Sequence, residues 1–61
     1  MTRLQRMLME RDGITAREAQ EMIDAARAEL EERIAEGDLL GAEEVCLDVL
    51  GLEPDYLDDL L

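Results

Sequence analysis

Carboxylates are the most abundant side chains in this sequence that could do chemistry. The chain has 17 aspartate and glutamate residues, six arginines, one cysteine and no histidine. Residues 34–61 contain nine of the acids and no basic residue. Such a surface attracts basic proteins, including basic nucleic-acid-binding grooves. We therefore predict that seven acids of this half form a partner-binding surface. They are Glu43, Glu44, Asp48, Glu53, Asp55, Asp58 and Asp59.

The same residue types give little support for catalysis or for metal binding. Nucleophilic and acid–base chemistry needs an activating partner, and the chain has neither histidine nor serine. Cys46 has no second thiol for a disulfide or a zinc site, and its apolar neighbours indicate a buried core residue. The pairs Glu43–Glu44 and Asp58–Asp59 could bind a hard cation weakly, but solvated faces are the simpler interpretation. We expect no enzymatic activity, no metal and no cofactor.

All six arginines lie in residues 1–33, together with eight acids. Arg3, Arg6 and Arg11 form the basic cluster of a predicted first helix. This cluster could hold an anionic ligand such as a nucleotide, or another subunit's acidic half, although charge balance is the simpler interpretation. Because phosphate contacts require cations, we expect the second half to bind neither nucleic acid nor an anionic membrane directly.

Helices must position these side chains, because the apolar residues recur at steps of three and four. A first helix is predicted over 3–11 and a second over 16–36. Thr15 is the expected N-cap of the second helix, with Glu18 at the capping-box position and Gly37 ending the helix. The predicted apolar seam of this helix consists of Ala19, Met22, Ile23, Ala26, Leu30 and Ile34.

A third helix is predicted over 39–50, starting from an Asp38 cap. Its apolar arc is wider than one neighbouring helix normally covers. Gly41 within it should cost about 1 kcal/mol relative to alanine. We therefore expect either a helix that starts near Ala42 or another backbone close to Gly41.

The final stretch, GLEPDYLDDLL, predicts a short fourth helix over 54–61, with Glu53 as its cap and Pro54 in its first turn. Its leucines would cover the core or a sister subunit, or the stretch would dock on a partner. The fold class expected from these patterns is all-α, a single small domain over 1–61 with three helices and a short fourth.

Sixty-one residues are few for a stable aliphatic core. Below about 70–80 residues, one core rarely supplies more than about 3–5 kcal/mol. With a disulfide and a zinc site excluded, a homo-oligomer is the simplest additional source of stability. We predict an interface built from leucines of the second half. They are Leu40, Leu47, Leu50, Leu57, Leu60 and Leu61.

No apolar run is long enough for a signal peptide or a membrane span. We therefore expect a soluble, cytoplasmic protein. The single cysteine is compatible with a reducing compartment.

Two stretches, ITAREAQEMIDAARAELEERIAEGD and GLEPDYLDDLL, resemble small acidic open reading frames of bacteriophages and mobile elements. The resemblance covers residues 14–61, its most specific part is the ending from Gly51 to Leu57, and residues 1–13 do not clearly match. Such proteins have no established activity, so no residue inherits a role. The resemblance implies a protein that acts in the bacterial cytoplasm. Small acidic proteins of such elements often inhibit host defence proteins.

Three functions agree with the sequence. The first is a non-enzymatic acidic protein that inhibits a host factor by binding it. The second is an oligomeric sponge for an anionic nucleotide, using Arg3, Arg6 or Arg11. The third is a purely structural helical oligomer.

Overall fold

A computed structural model describes residues 2–60 of the chain. It contains α1 (Arg3–Asp12), α2 (Ala16–Ala35), α3 (Leu39–Glu43), a π-helical turn (Cys46–Leu50), a 3-10 turn (Pro54–Tyr56) and α4 (Leu57–Leu60). No strand occurs in this part of the chain. The predicted all-α class is therefore confirmed, with four α-helices. The predicted end of the fourth helix at Leu61 lies outside the described residues.

Both long helices begin at capping boxes. Thr15 Oγ1 accepts a hydrogen bond from the Glu18 amide at 3.1 Å, and the Glu18 carboxylate accepts one from the Thr15 amide at 3.3 Å. This arrangement confirms the predicted start of α2. Thr2 and Gln5 form the same reciprocal pair at the start of α1. Each such cap contributes about 1 kcal/mol.

The end of α2 is a Schellman motif, as its glycine suggested. Gly37 has φ of 77°, a left-handed conformation that glycine adopts without a steric penalty. The amide of Gly37 donates to the Ile34 carbonyl at 3.0 Å, and that of Asp38 donates to the Arg33 carbonyl at 2.9 Å. These two bonds turn the chain toward α3.

The central helix is α2, against which α1, α3, the π-helical turn and α4 all pack. Its 20 residues span about 30 Å at 1.5 Å per residue, and the molecule's longest dimension is 34 Å. The predicted seam of α2 is only partly buried, because Met22 is half-buried and Ile34 is 46% exposed. The core consists of Leu4, Leu8, Ala19, Ile23, Ala26, Leu30, Ala42, Val45, Cys46, Leu50, Leu52 and Leu60.

The predicted third helix is interrupted, since α3 ends at Glu43 and the chain continues through the π-helical turn. The Glu44 amide is shared between the carbonyls of Leu40 and Gly41, at 3.3 and 3.1 Å. A π-helical turn is a single widened turn within an otherwise α-helical path. Within this turn, its first and last residues, Cys46 and Leu50, both face the core.

Gly41 has an explanation that the sequence did not suggest. The Asp38 carboxylate accepts a hydrogen bond from the Gly41 amide at 2.9 Å, which confirms the predicted cap of α3. A Cβ atom on Gly41 would overlap that carboxylate. Both earlier alternatives are therefore wrong: the helix starts at Leu39, and the group close to Gly41 is a capping side chain.

The final segment, residues 51–60, packs on the rest of the chain. Glu53 makes no capping hydrogen bond through its side chain, Pro54 starts the 3-10 turn, and α4 begins only at Leu57. Leu52 and Leu60 are buried, at 7% and 1% exposed. The segment therefore covers part of the core, which is one of the three roles expected from its sequence.

Candidate interaction surface

All seven acids of the predicted partner-binding surface are exposed. Two of them are engaged within the chain: Asp48 lies 3.2 Å from the Arg33 guanidinium, and Asp59 lies 2.8 Å from that of Arg3. The other five make no ion pair within residues 2–60. They are Glu43, Glu44, Glu53, Asp55 and Asp58. Most of the predicted surface is therefore open to solvent and to partners.

Four large apolar side chains within residues 34–47 are exposed. Their exposed fractions are 46% for Ile34, 67% for Leu39, 75% for Leu40 and 61% for Leu47. We call these four residues the leucine face. Sequence reasoning had assigned Ile34 to the core and had not singled out Leu39. The excess width of the apolar arc on the third helix was the one available signal.

Helical spacing explains the arrangement of the leucine face. Leu40 and Leu47 are seven residues apart, so they lie on one side of the helical path, with Glu44 between them. Ala42 and Val45 lie on the opposite side and are buried at 5% and 0% exposed. The core is thus complete on one side while leucines remain on the other.

The other predicted interface leucines occupy different positions. Leu50 and Leu60 are each 1% exposed and belong to the chain's own core, so they are not available to an oligomer interface. Sequence spacing could not make this distinction, because Leu47 and Leu50 both lie in the same apolar arc. Leu57 is half-buried against the core, and Leu61 lies outside the described residues.

Arg33 fixes the orientation of the leucine face. Its side chain is 20% exposed and lies 3.0 Å from the Glu29 carboxylate on α2. Its Nη1 atom donates to the Gly41 carbonyl at 2.6 Å and to the Asp48 carboxylate at 3.2 Å. The hydrogen bond with Asp48, supported by that with Glu29, raises the pKa of Arg33. One guanidinium therefore joins α2 to both α3 and the π-helical turn.

The predicted basic cluster does not converge on a ligand site. Arg3 binds Asp59 at 2.8 Å and lies 5.1 Å from the centre of the Tyr56 ring, a cation–π distance. Arg11 forms a bidentate ion pair with Asp12, in which both hydrogen bonds are 2.8 Å long. Arg6 is exposed and forms no ion pair within residues 2–60.

Three arginines instead hold the final segment. Besides the contact of Arg3 with Asp59, Arg11 Nη1 donates to the Gly51 carbonyl at 3.3 Å and Arg27 Nε donates to the Leu60 carbonyl at 3.0 Å. Positive side chains at the end of a helix satisfy its free carbonyls and suit its dipole. Sequence reasoning missed these contacts because two of the acceptors are backbone carbonyls.

Cys46 fills the core, as predicted. It is a free thiol with 0% exposure, and burial raises its pKa above the ordinary value. Because the thiolate is the nucleophilic form, this environment suppresses the reactivity of the side chain.

The described residues form no pocket, and no three of their carboxylate or thiol groups are grouped closely enough to hold a metal ion. None of the helices within residues 2–60 is both long and apolar enough to cross a membrane. Comparisons with known proteins found no family model, no curated protein and no solved structure that matches the chain. The resemblance to proteins of phages and mobile elements therefore stays a hypothesis.

Proposed function

We propose that this chain is a non-enzymatic binding protein that engages a basic protein partner through its acidic second half. The observation that supports the proposal most is the charge of residues 34–60, where nine acids are exposed and no basic residue is present. Within residues 2–60, only Asp48 and Asp59 of these acids form ion pairs, both with arginines of the first half. The field of this half therefore remains strongly negative.

Charge of this kind contributes mainly to the rate and specificity of association. A single exposed ion pair contributes only about 0.2–1 kcal/mol. Many exposed carboxylates together steer a basic partner toward the surface and repel acidic ones. At physiological salt the Debye length is about 8 Å. Binding should therefore weaken steeply as the salt concentration rises.

The resemblance to small proteins of phages and mobile elements suggests the biological role within this proposal. The chain would act in the bacterial cytoplasm as an inhibitor of a host defence protein. Many such proteins bind nucleic acid through basic grooves, and a compact acidic chain could occupy a groove of that kind. Inhibition would then consist of competition with the nucleic acid.

The test is a comparison of charge variants against a purified basic nucleic-acid-binding protein that the chain binds. Variant E43Q/E44Q/D58N removes three exposed carboxylates from the second half. The matched control E10Q/E31Q/E32Q removes three exposed carboxylates from the first half, which also lack ion pairs within residues 2–60. Dissociation constants are measured by calorimetry between about 50 and 300 mM salt, a range over which screening changes strongly.

The proposal expects the second-half variant to weaken binding far more than the control, and salt to weaken binding of the wild type. Equal effects of both variants would show that only net charge matters and would contradict a localised surface. Binding that is indifferent to salt would contradict an electrostatic partner altogether.

A helical oligomer is a second candidate, because the leucine face is exposed in the single chain. The sponge alternative gains no support from the contacts, since Arg3 and Arg11 already bind groups of their own chain.

A further inference from the structure

We infer that the leucine face is the centre of the partner-binding surface, and that its occupant is a basic amphipathic helix of the partner. Such a helix carries leucine-like residues on one side and lysines or arginines along the edges of that side. This inference rests on the proposed function and adds to it the position of the contact and the chemistry of the partner segment.

Exposed apolar side chains are concentrated in one stretch of the chain. Ile34, Leu39, Leu40 and Leu47 all lie within residues 34–47, and each is at least 46% exposed. Single exposed leucines are ordinary on protein surfaces, whereas four large exposed apolar residues in one stretch of 14 residues are a candidate interaction site. The rest of the large aliphatic side chains in residues 2–60 are buried or half-buried.

The residues next to the leucine face in sequence, which we call its rim, are acidic. Glu36, Asp38, Glu43 and Glu44 are exposed between or beside the four apolar residues. Arg33 is the nearest basic residue in sequence, and its guanidinium already binds two carboxylates and the Gly41 carbonyl. A helix that binds here must therefore bring positive charge along with its apolar side chains.

The spacing of apolar and acidic residues along α3 and the π-helical turn also suits an amphipathic helix. Leu40, Glu44 and Leu47 follow one another at steps of four and three residues along the helical path, so apolar and acidic groups alternate on one side. Helices that bind in this way use apolar anchors at positions i, i+3, i+4 and i+7. A partner helix with leucines on its inner side and lysines at the edges matches both groups.

A second copy of the chain is a poorer occupant. A standard interface buries about 800 Å² per partner, which is about a fifth of the 4051 Å² surface of this chain. Four apolar side chains cannot supply that area, so the interface must extend over the acidic rim. A two-fold symmetric dimer places the same surface on both sides, and its carboxylates would then face one another.

The experiment uses an 18-residue synthetic peptide that forms a helix with leucines on one side and lysines on the other. A scrambled peptide of the same composition is the first control, and an analogue with glutamine in place of leucine is the second. The full chain is titrated with each peptide by calorimetry. Variant L40S/L47S tests the leucine face, and A25S/A28S is the control, since both alanines are exposed on α2.

We expect the amphipathic peptide to bind at least about tenfold tighter than either control peptide, and L40S/L47S to lose at least about that factor, which corresponds to about 1.4 kcal/mol. Binding to A25S/A28S should equal that of the wild type. Circular dichroism spectra of both variants should match that of the wild type, because all four substitutions replace exposed residues.

Failure of this inference differs from failure of the proposed function. If all three peptides bind equally and L40S/L47S binds like the wild type, the leucine face is not the contact, while an acidic surface for basic partners still stands. If none binds at low salt, both ideas are overturned. A dimer in sedimentation equilibrium that L40S/L47S abolishes, and that excludes the peptide, would make the occupant a second copy and overturn the inference.

Discussion

Replacing Gly41 with alanine should stabilise the protein by clearly less than the about 1 kcal/mol that a glycine-to-alanine substitution in a helix normally contributes, and it could destabilise the protein. The reason is the contact between position 41 and the cap of the same helix. The Gly41 amide donates to the Asp38 carboxylate at 2.9 Å, and an added Cβ would overlap that carboxylate. The side chain of Asp38 must then move, and the cap is lost.

The magnitude follows from two opposing terms. Alanine gains about 1 kcal/mol from helix propensity, and loss of an aspartate cap costs about 0.5–2 kcal/mol. In the wild-type background, Gly41→Ala should therefore change the free energy of unfolding by between about +0.5 and −1 kcal/mol. In an Asp38→Ala background no cap remains to be lost, and the same substitution should stabilise by about 1 kcal/mol.

The assay is urea denaturation followed by circular dichroism at 222 nm, applied to the four members of this double-mutant cycle. Ala28→Gly at an exposed position of α2 calibrates the propensity term, with an expected loss of about 1 kcal/mol. A difference of about 0.5–2 kcal/mol between the two backgrounds is expected. If Gly41→Ala stabilises both backgrounds by the same amount, the close approach of Asp38 has no energetic consequence and the reasoning is refuted.

Three further predictions concern the core and two titrating groups. Leu60→Ala should cost about 2–5 kcal/mol in urea denaturation, because the side chain is 1% exposed, whereas Leu47→Ala at 61% exposure should change stability by no more than about 0.5 kcal/mol. The hydrogen bonds from Arg11 lower the pKa of Asp12. This pair therefore stabilises the fold above the ordinary carboxyl pKa, and the stabilisation is lost as the pH falls through the lowered pKa. Asp12→Asn should reduce the fall in melting temperature at acid pH. Burial raises the pKa of Cys46. The neutral thiol therefore contributes fully to stability below the ordinary thiol pKa, and this contribution is lost at alkaline pH. Between about pH 8 and 10, Cys46→Ala should show a smaller fall in melting temperature than the wild type.

Local capping could be predicted from the sequence because its partners are only a few residues apart. Thr15 and Glu18 have the capping-box spacing, and Asp38 precedes a helix directly. The Thr2–Gln5 box has the same spacing and was detectable by the same rule. Apolar spacing, which predicts the first helix, does not by itself reveal this capping box.

The contacts of the arginines could not be predicted in this way. Arg11 reaches the carbonyl of Gly51, and Arg27 reaches that of Leu60, across 40 and 33 residues of chain. A backbone carbonyl has no sequence signature, since every residue carries one. The difference in burial between Leu47 and Leu50 also depends on tertiary packing. The two residues lie in one apolar arc, and only Leu50 packs into the core of the chain.

The distribution of the arginines explains how so acidic a chain can fold and still present a binding surface. Arg3, Arg11 and Arg27 hold the final segment, and Arg33 holds α3 and the π-helical turn against α2. These bonds position the leucine face without neutralising its rim, so leucines and carboxylates stay side by side in water. In the isolated chain the exposed leucines are unfavourable because they place apolar area in water, and the carboxylates are unfavourable because they repel one another. One helix with leucines and lysines would relieve both at once, which a purely apolar or a purely basic partner would not.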